Sequence, residues 1–391
     1  MKNNIIAIIG GCGHVGLPLA LKFAEKKFLT YAIDINQNIL KLLNNGNAPY
    51  KEKGSASLLK KFLNKKIFFT EDFKKIKLAK YIIITVSTPL KGNNPDMSHV
   101  FSVIRKSKNY ISKTSSIILR STVFPGTTRM VMRFLKKNKI FCKVSYCPER
   151  VAQGKSLSEI ENLPQIVSSE NENEQKKINQ LFRKICKKTL YLNIEEAEYA
   201  KLFSNAWRYI KFGITNEFYM LCENASLNYN KILNAMKHNY PRNNGLPMHG
   251  FSGGPCLPKD AIQLFSSSKK FSTLIKRAYT INENLPMFLI NKAKKKVQLK
   301  KKNVCVLGTT FKQDIDDERG SLSIKLIKLL RSEGANVYVY DPYIKSNSLQ
   351  LNKILKICEI VFIGTPHRQF KNLNLKNKIL FSCWGTRSKV L

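Results

Sequence analysis

Ile5-Ile6-Ala7-Ile8-Ile9 is an unbroken apolar run, the pattern of a parallel strand buried on both faces. Apolar positions at Leu17, Leu19, Ala20, Phe23 and Ala24 then predict a helix, and 30–33 a second strand. Further runs at 81–86, 116–120 and 144–146 predict strands, each closed by polar or turn-forming residues. From Ile194 the character changes. The stretch 195–228 has no proline and a single glycine, at 213, so it predicts one long helix. Helical patterns continue to about 298, and then alternation returns. Strands are predicted at 303–307, 336–340, 359–364 and 378–382, with a helix over 321–333. The chain therefore reads as α/β, long helix, α/β, divided as 1–194, 195–298 and 299–391.

The first strand runs into Gly11-Cys12-Gly13-His14-Val15-Gly16, a G-x-G-x-x-G that opens the helix. The second strand ends in Asp34, 21 residues after Gly13. Glycine loop and acid at this spacing, within strand–helix–strand, predict a Rossmann dinucleotide fold. Gly11 would allow the tight turn, Gly13 the approach of pyrophosphate and Gly16 close packing of helix on strand, with His14 and Val15 in the same loop. The helix N-terminus favours the phosphate charge. Asp34 would accept from ribose hydroxyls and repel a 2′-phosphate, so NAD is expected rather than NADP. Thr88, Thr122 and Glu149 follow the carboxyl ends of later strands, where ligands of doubly wound sheets bind. Each also fits an ordinary cap or turn.

The length, 391 residues, suits two or three domains. The net charge of +41 comes mostly from lysines spread along nearly every segment rather than gathered with aromatics, so nucleic-acid binding is not expected. Such a field still helps capture an anionic small substrate. Nine scattered cysteines without a CxxC pair predict neither a disulfide framework nor a zinc site, and point to a reducing compartment. No stretch approaches the roughly 18 apolar residues of a membrane span. The run at 5–9 is too short for a signal peptide, so a cytoplasmic protein is expected.

Two stretches carry candidate chemistry. Along the long helix Lys201, Asn205 and Arg208 fall at i, i+4 and i+7 among aromatic residues, and a lysine on a covered face implies a partner anion. In Gly250-Phe251-Ser252-Gly253-Gly254-Pro255-Cys256-Leu257-Pro258-Lys259-Asp260, glycines and prolines build a stiff loop presenting one thiol beside a cation and a carboxylate. A thiol so placed can be a nucleophile. The alternative is a glycine-rich turn with a buried, inert cysteine.

In order along the chain, these motifs resemble the UDP-glucose/GDP-mannose dehydrogenase family over essentially the whole length. They are Gly11-x-Gly13-x-x-Gly16 with Asp34; Ser87-Thr88-Pro89; Ser121-Thr122-Val123-x-Pro125-Gly126-Thr127; Cys147-Pro148-Glu149-Arg150; Glu198-x-x-Lys201-x-x-x-Asn205; Asn216-Glu217; Gly253 to Asp260; and Phe311-Lys312 with Asp317-x-Arg319-x-Ser321. The resemblance implies a Rossmann NAD domain, a central helix used for homodimerisation and a Rossmann-like domain for the UDP moiety. It implies oxidation of a sugar C6 alcohol to the carboxylate with two NAD, through Cys256. Lys201 and Asn205 would stabilise the oxyanion, while Asp260 and Thr122 would handle water and Glu149 support acid/base work. Lys312 and Arg319 would meet the UDP part, Arg242 the sugar nucleotide across a dimer interface, and Arg150, Arg208 and Gly253 the substrate.

Substrate is read from departures. Family members acting on UDP-glucose carry a second acid four residues after the position of Glu149, where this chain has Gln153. Pro148-Glu149-Arg150-Val151, Arg208 and Tyr240-Pro241-Arg242 are similar to members acting on UDP-N-acetylhexosamines, whereas Cys256-Leu257-Pro258-Lys259-Asp260 is nearer the UDP-glucose branch. A UDP-N-acetylhexosamine of mannosamine or glucosamine configuration is expected, with UDP-glucose as the alternative. A two-electron NAD dehydrogenase of the hydroxyacid or phosphogluconate kind, with a structural Cys256, is the more distant one.

Overall fold

The computed structural model describes residues 4–92, 94–268, 270–344 and 350–384. Its strands are β1 (Ile5–Ile9), β2 (Leu29–Ile33), β3 (Ile67–Thr70), β4 (Tyr81–Ile84), β5 (Leu90–Lys91), β6 (Asn94–Pro95), β7 (Ser116–Leu119), β8 (Lys143–Tyr146), β9 (Gln165–Ser169), β10 (Thr189–Tyr191), β11 (Asn303–Leu307), β12 (Asn336–Tyr340), β13 (Ile360–Ile363) and β14 (Ile379–Ser382). Its helices are α1 (Gly16–Glu25), α2 (Gln37–Asn44), α3 (Ser55–Phe62), α4 (Ser98–Ser107), α5 (Thr127–Lys137), α6 (Ser156–Asn162), α7 (Glu172–Phe182), α8 (Ile194–Asn224), α9 (Tyr229–Lys237), α10 (Leu257–Ser267), α11 (Thr273–Lys294), α12 (Leu322–Ser332) and α13 (Leu351–Ile357). The chain falls into two compact units, 1–203 and 204–391, with the division inside α8.

In the first unit the sheet order is β10-β9-β8-β7-β4-β1-β2-β3. From β3 to β8 every pairing is parallel, which is the Rossmann order; β9 then pairs antiparallel with β8. Strand order reverses between β1 and β4, so loops from both leave the sheet side by side. Thr85 fastens them, its hydroxyl 3.0 Å from the carbonyls of both Ile9 and Gly10. β4 ends at Ile84, short of the 86 expected from the apolar run. Buried side chains on the two sheet faces, such as Ile8 with Phe23 and Ile82 with Val131, form two cores.

The second unit holds a smaller parallel sheet in the order β12-β11-β13-β14. Its helical part packs closely: a Cβ at Gly213 of α8 would lie 2.9 Å from the Ala278 side chain of α11. The long helix ends at Asn224 rather than at the expected 228. Ser226 turns left-handed (φ 56°), and Asn228 instead caps α9 by accepting from the amide of Lys231 at 3.2 Å. Similarly, Ser321 is the cap of α12 rather than its first residue, its hydroxyl accepting from the Ser323 amide at 3.2 Å.

Candidate functional site

In the first unit the residue with positive φ after β1 is Gly10 (77°), so the tight turn belongs there and not at Gly11 as the motif suggested. Gly11 is required by proximity: a Cβ would sit 2.8 Å from the Ala32 Cα of β2. Gly16 is tighter still, 2.2 Å from the Gly10 carbonyl oxygen. Around Gly13, by contrast, the nearest atom is 3.5 Å away, and the N-cap residue of α1, Val15, makes no side-chain capping hydrogen bond. Bare backbone at a helix start is what a diphosphate needs, so this loop fits NAD. Asp34 stands at the end of β2, its Oδ2 accepting from the Cys12 amide at 3.2 Å and its Oδ1 from the amides of Ile35 and Asn36. A carboxylate so oriented keeps acceptor capacity for ribose hydroxyls. His14 stacks on Tyr50, with ring centroids 3.6 Å apart.

The loops after β4 and β7 are tied together, because the buried Thr88 hydroxyl donates to the Thr122 carbonyl at 2.6 Å. Glu149 is held by a partner that sequence reading missed. Arg120, 1% exposed, donates from Nε and Nη2 to Glu149 Oε2 at 2.8 and 2.5 Å, and from Nη1 to Gln165 at 2.8 Å. The other Glu149 oxygen accepts from the amides of Arg150 and Val151, while the Arg150 guanidinium donates to the Pro164 carbonyl. Burial lowers the basicity of Arg150 against the raising effect of Glu149.

Glu198, quoted above only as part of a motif, is fully buried and accepts from the Gly126 amide (2.6 Å) and from the Thr128 amide and hydroxyl (2.8 and 2.6 Å). It thereby caps α5 and fixes the 121–128 loop to α8, one turn before Lys201. Burial raises its pKa, opposed by those hydrogen bonds. Lys201 is only 9% exposed.

In the second unit Asn205, one turn along α8 from Lys201, donates to Asp260 Oδ2 at 2.6 Å, and both are buried. Arg208 does not share that buried face. It is exposed, as are Phe203 and Trp207, so the aromatic residues leave one side of the helix open. The cysteine loop is pinned at both ends. The Asn216 amide bridges Gly250 N and O (2.9 and 3.1 Å) and Asn282 of α11 (2.8 Å). Further on, Gly254 (φ 103°) donates to the Gly320 carbonyl at 2.8 Å, and a Cβ at Gly253 would lie 2.4 Å from that oxygen. Cys256 then occupies the N-cap position of α10, with Asp260 one turn along.

Cys256 is exposed, which removes the buried-turn alternative. Burial pushes other thiols up, Cys147 to about 12 and Cys142 to about 11, which leaves them poor nucleophiles. Lys259 reaches Asp260 Oδ1 at 3.2 Å, so its charge is directed to the carboxylate. Lys312 is exposed on the loop after β11, and Arg319 is paired in a fork with Asp317 (2.6–3.1 Å). Arg242 is exposed, its guanidinium 3.2 Å from the Tyr240 hydroxyl. Among the described residues no group of three or more His, Cys, Asp or Glu is placed to hold a metal, and no helix is long and apolar enough to cross a membrane.

Profiles of the UDP-glucose/GDP-mannose dehydrogenase family match residues 4–186 (NAD binding domain), 195–284 (central domain) and 305–385 (UDP binding domain). UDP-N-acetyl-D-mannosamine dehydrogenase of Pyrococcus horikoshii is 31% identical over 384 residues, covering 94% of this chain and 91% of the relative. The enzyme of the same name from Campylobacter jejuni is 28% identical over 97% of this chain and 99% of its own. Among solved structures, UDP-D-ManNAc dehydrogenase from Pyrococcus horikoshii superposes with a TM-score of 0.93 at 28% identity, over 99% of this chain and 97% of that one. A UDP-glucose dehydrogenase from Pyrobaculum islandicum gives 0.91 at 22% identity over 97% and 94%, a likeness of fold alone.

Proposed function

The chain belongs to the UDP-glucose/GDP-mannose dehydrogenase family and is an NAD-dependent nucleotide-sugar dehydrogenase; from that premise we propose that it oxidises the C6 alcohol of a UDP-N-acetylhexosamine, UDP-N-acetylmannosamine first, to the uronate. The observation that carries the four-electron reading is Cys256, the exposed thiol of a loop held at Gly250 and Gly254. An enzyme stopping at the aldehyde has no use for such a group. Relatives named for UDP-N-acetyl-D-mannosamine and the Gln153 departure support the sugar.

The first unit binds NAD, which supplies the hydride acceptor for both oxidations. Lys201 and Asn205 hold the developing oxyanion at C6. Cys256 adds to the aldehyde, and after the second hydride has left, water attacks the thioester, with Asp260 and Thr122 orienting it and Asp260 taking its proton. Arg120 keeps Glu149 and the 149–151 turn in place for substrate. In this reading Lys312, Arg319, Arg242, Arg208, Arg150 and Gly253 bind the UDP-sugar, the enzyme acts in the cytoplasm on a precursor of surface polysaccharide, and two copies pair along α8.

Absorbance at 340 nm, followed with a panel of UDP-hexoses and UDP-N-acetylhexosamines, tests this directly. Two NADH per sugar and a uronate product are expected, fastest with UDP-N-acetylmannosamine; one NADH and an aldehyde would sink the four-electron reading. Cys256→Ser is expected to abolish net turnover while NAD and UDP-sugar binding by calorimetry stay intact.

A further inference from the structure

Gln263 lies on α10, seven residues after Cys256 and three after Asp260, and none of the assignments above uses it. Positions 256, 260 and 263 share one helical stripe. Gln263 and Asp260 are both 0% exposed. Among the described residues neither the Oε1 nor the Nε2 of Gln263 has a hydrogen-bond partner, and nor has Asp260 Oδ1, although the Lys259 ammonium lies 3.2 Å from it. Asp260 Oδ2 is taken by Asn205. A buried polar group left unpaired costs about 1–3 kcal/mol. Three such atoms on adjacent turns mark a place for a small polar guest rather than a packing fault.

The guest's chemistry follows from the atoms. It must donate to a carboxylate oxygen and accept from an amide N–H, which a water molecule does. Helical side chains lean toward the N-terminus, so the Gln263 amide overlies the turn that carries Asp260. Seven residues span only about 10 Å of helix axis, and that lean carries the amide back toward Cys256. We propose that Gln263, with Asp260, holds the water that hydrolyses the Cys256 thioester. This rests on the four-electron reading above. Gln263 Nε2 donates to the water oxygen, and the water donates to Asp260 Oδ1. As the oxygen bonds to the acyl carbon, its proton passes to Asp260. The C–S bond then breaks, sulfur keeps the electron pair as thiolate, and the uronate leaves. No electron acceptor is consumed in this step.

The test is stopped-flow NADH formation by full-length wild type and Gln263→Leu with NAD and UDP-N-acetylmannosamine, alongside intact-protein mass spectrometry. The variant is expected to release two NADH per subunit in a burst and then turn over about 100- to 1,000-fold more slowly, as when one positioned donor is lost. An acyl adduct should accumulate on Cys256, and hydroxylamine, which intercepts thioesters, should restore turnover. Gln263→Asn retracts the same amide by one carbon with less disturbance of packing, and the same burst and rescue are expected. Wild-type turnover in the variants, or a slow first NADH without burst, adduct or rescue, overturns the role of Gln263. No NADH from wild type with any UDP-sugar overturns the proposed function itself, a separate outcome.

Discussion

Among the described residues Arg120 is the bulkiest fully buried side chain, and each of its three guanidinium nitrogens donates a hydrogen bond. Besides Glu149 and Gln165 it donates to the Cys147 carbonyl at 3.2 Å and lies 5.3 Å from the Phe182 ring centroid. Coulomb attraction alone rarely recovers the cost of burying two charges; the surrounding hydrogen bonds do. Removing one partner therefore hurts more than removing both. Arg120→Met is expected to destabilise the protein by about 3–5 kcal/mol, because Glu149 is left as a buried, uncompensated carboxylate. Arg120→Met with Glu149→Gln should recover most of that loss. Urea denaturation of wild type, Arg120→Met, Glu149→Gln and the double variant measures both terms, and a double-variant loss equal to the sum of the two single losses would show that the pair is not coupled.

Elements act on the thiol through the loop they grip. The residue before Gly250 is His249, whose Nδ1 is 2.7 Å from the Cys383 carbonyl and Nε2 3.1 Å from Asn230, and whose ring stacks on Tyr219 of α8. Burial lowers its pKa from 6.5 to about 4, against the raising effect of the Cys383 carbonyl. The unfolded chain then binds a proton below pH 6.5 that the folded one refuses until about pH 4. Stability contributed by the neutral ring is complete above pH 6.5 and falls across that window, by on the order of 3 kcal/mol. His249→Gln should flatten that slope in urea midpoints taken between pH 7 and 4.5; an unaltered slope would assign the acid loss to other groups. What the sequence showed of the site divides along the same line. Glycines at 11 and 16 are legible because their tightest contacts, the carbonyl oxygens of Ile8 and Gly10, are close along the chain, and β1 and β11 because nearly all of their side chains are buried, as in a parallel strand covered on both faces. Strand β3 and the pair β9 and β10, which lie toward the sheet edges, went unread. Arg120 and His249 were not legible because their partners lie 29 and 134 residues away. Gln263 was hidden for another reason: in a one-dimensional reading it is only a polar residue on a short helix.

At the scale of the whole molecule two features oppose each other in the proposed pairing of copies. Tyr199, Phe203 and Trp207 recur every four residues along α8 as one stripe, with Phe203 55% and Trp207 58% exposed. Large apolar side chains aligned on one face favour a partner surface. Against this stands the net charge of +41, so each copy repels its like, and Lys211 lies 5.4 Å from the centroid of the Trp207 ring itself. If apolar burial drives pairing, screening the repulsion must strengthen it, since a Debye length shrinks from about 30 Å at 0.01 M salt to about 10 Å at 0.1 M. Sedimentation velocity should then show the dimer tightening as salt rises over that range. An interface held mainly by ion pairs would respond in the opposite sense. Trp207→Glu places a carboxylate where the stripe would be buried, and it should shift the protein to monomer at both salt concentrations. A dimer that survives this change, or one that dissociates as salt is added, would move the interface away from this face of α8.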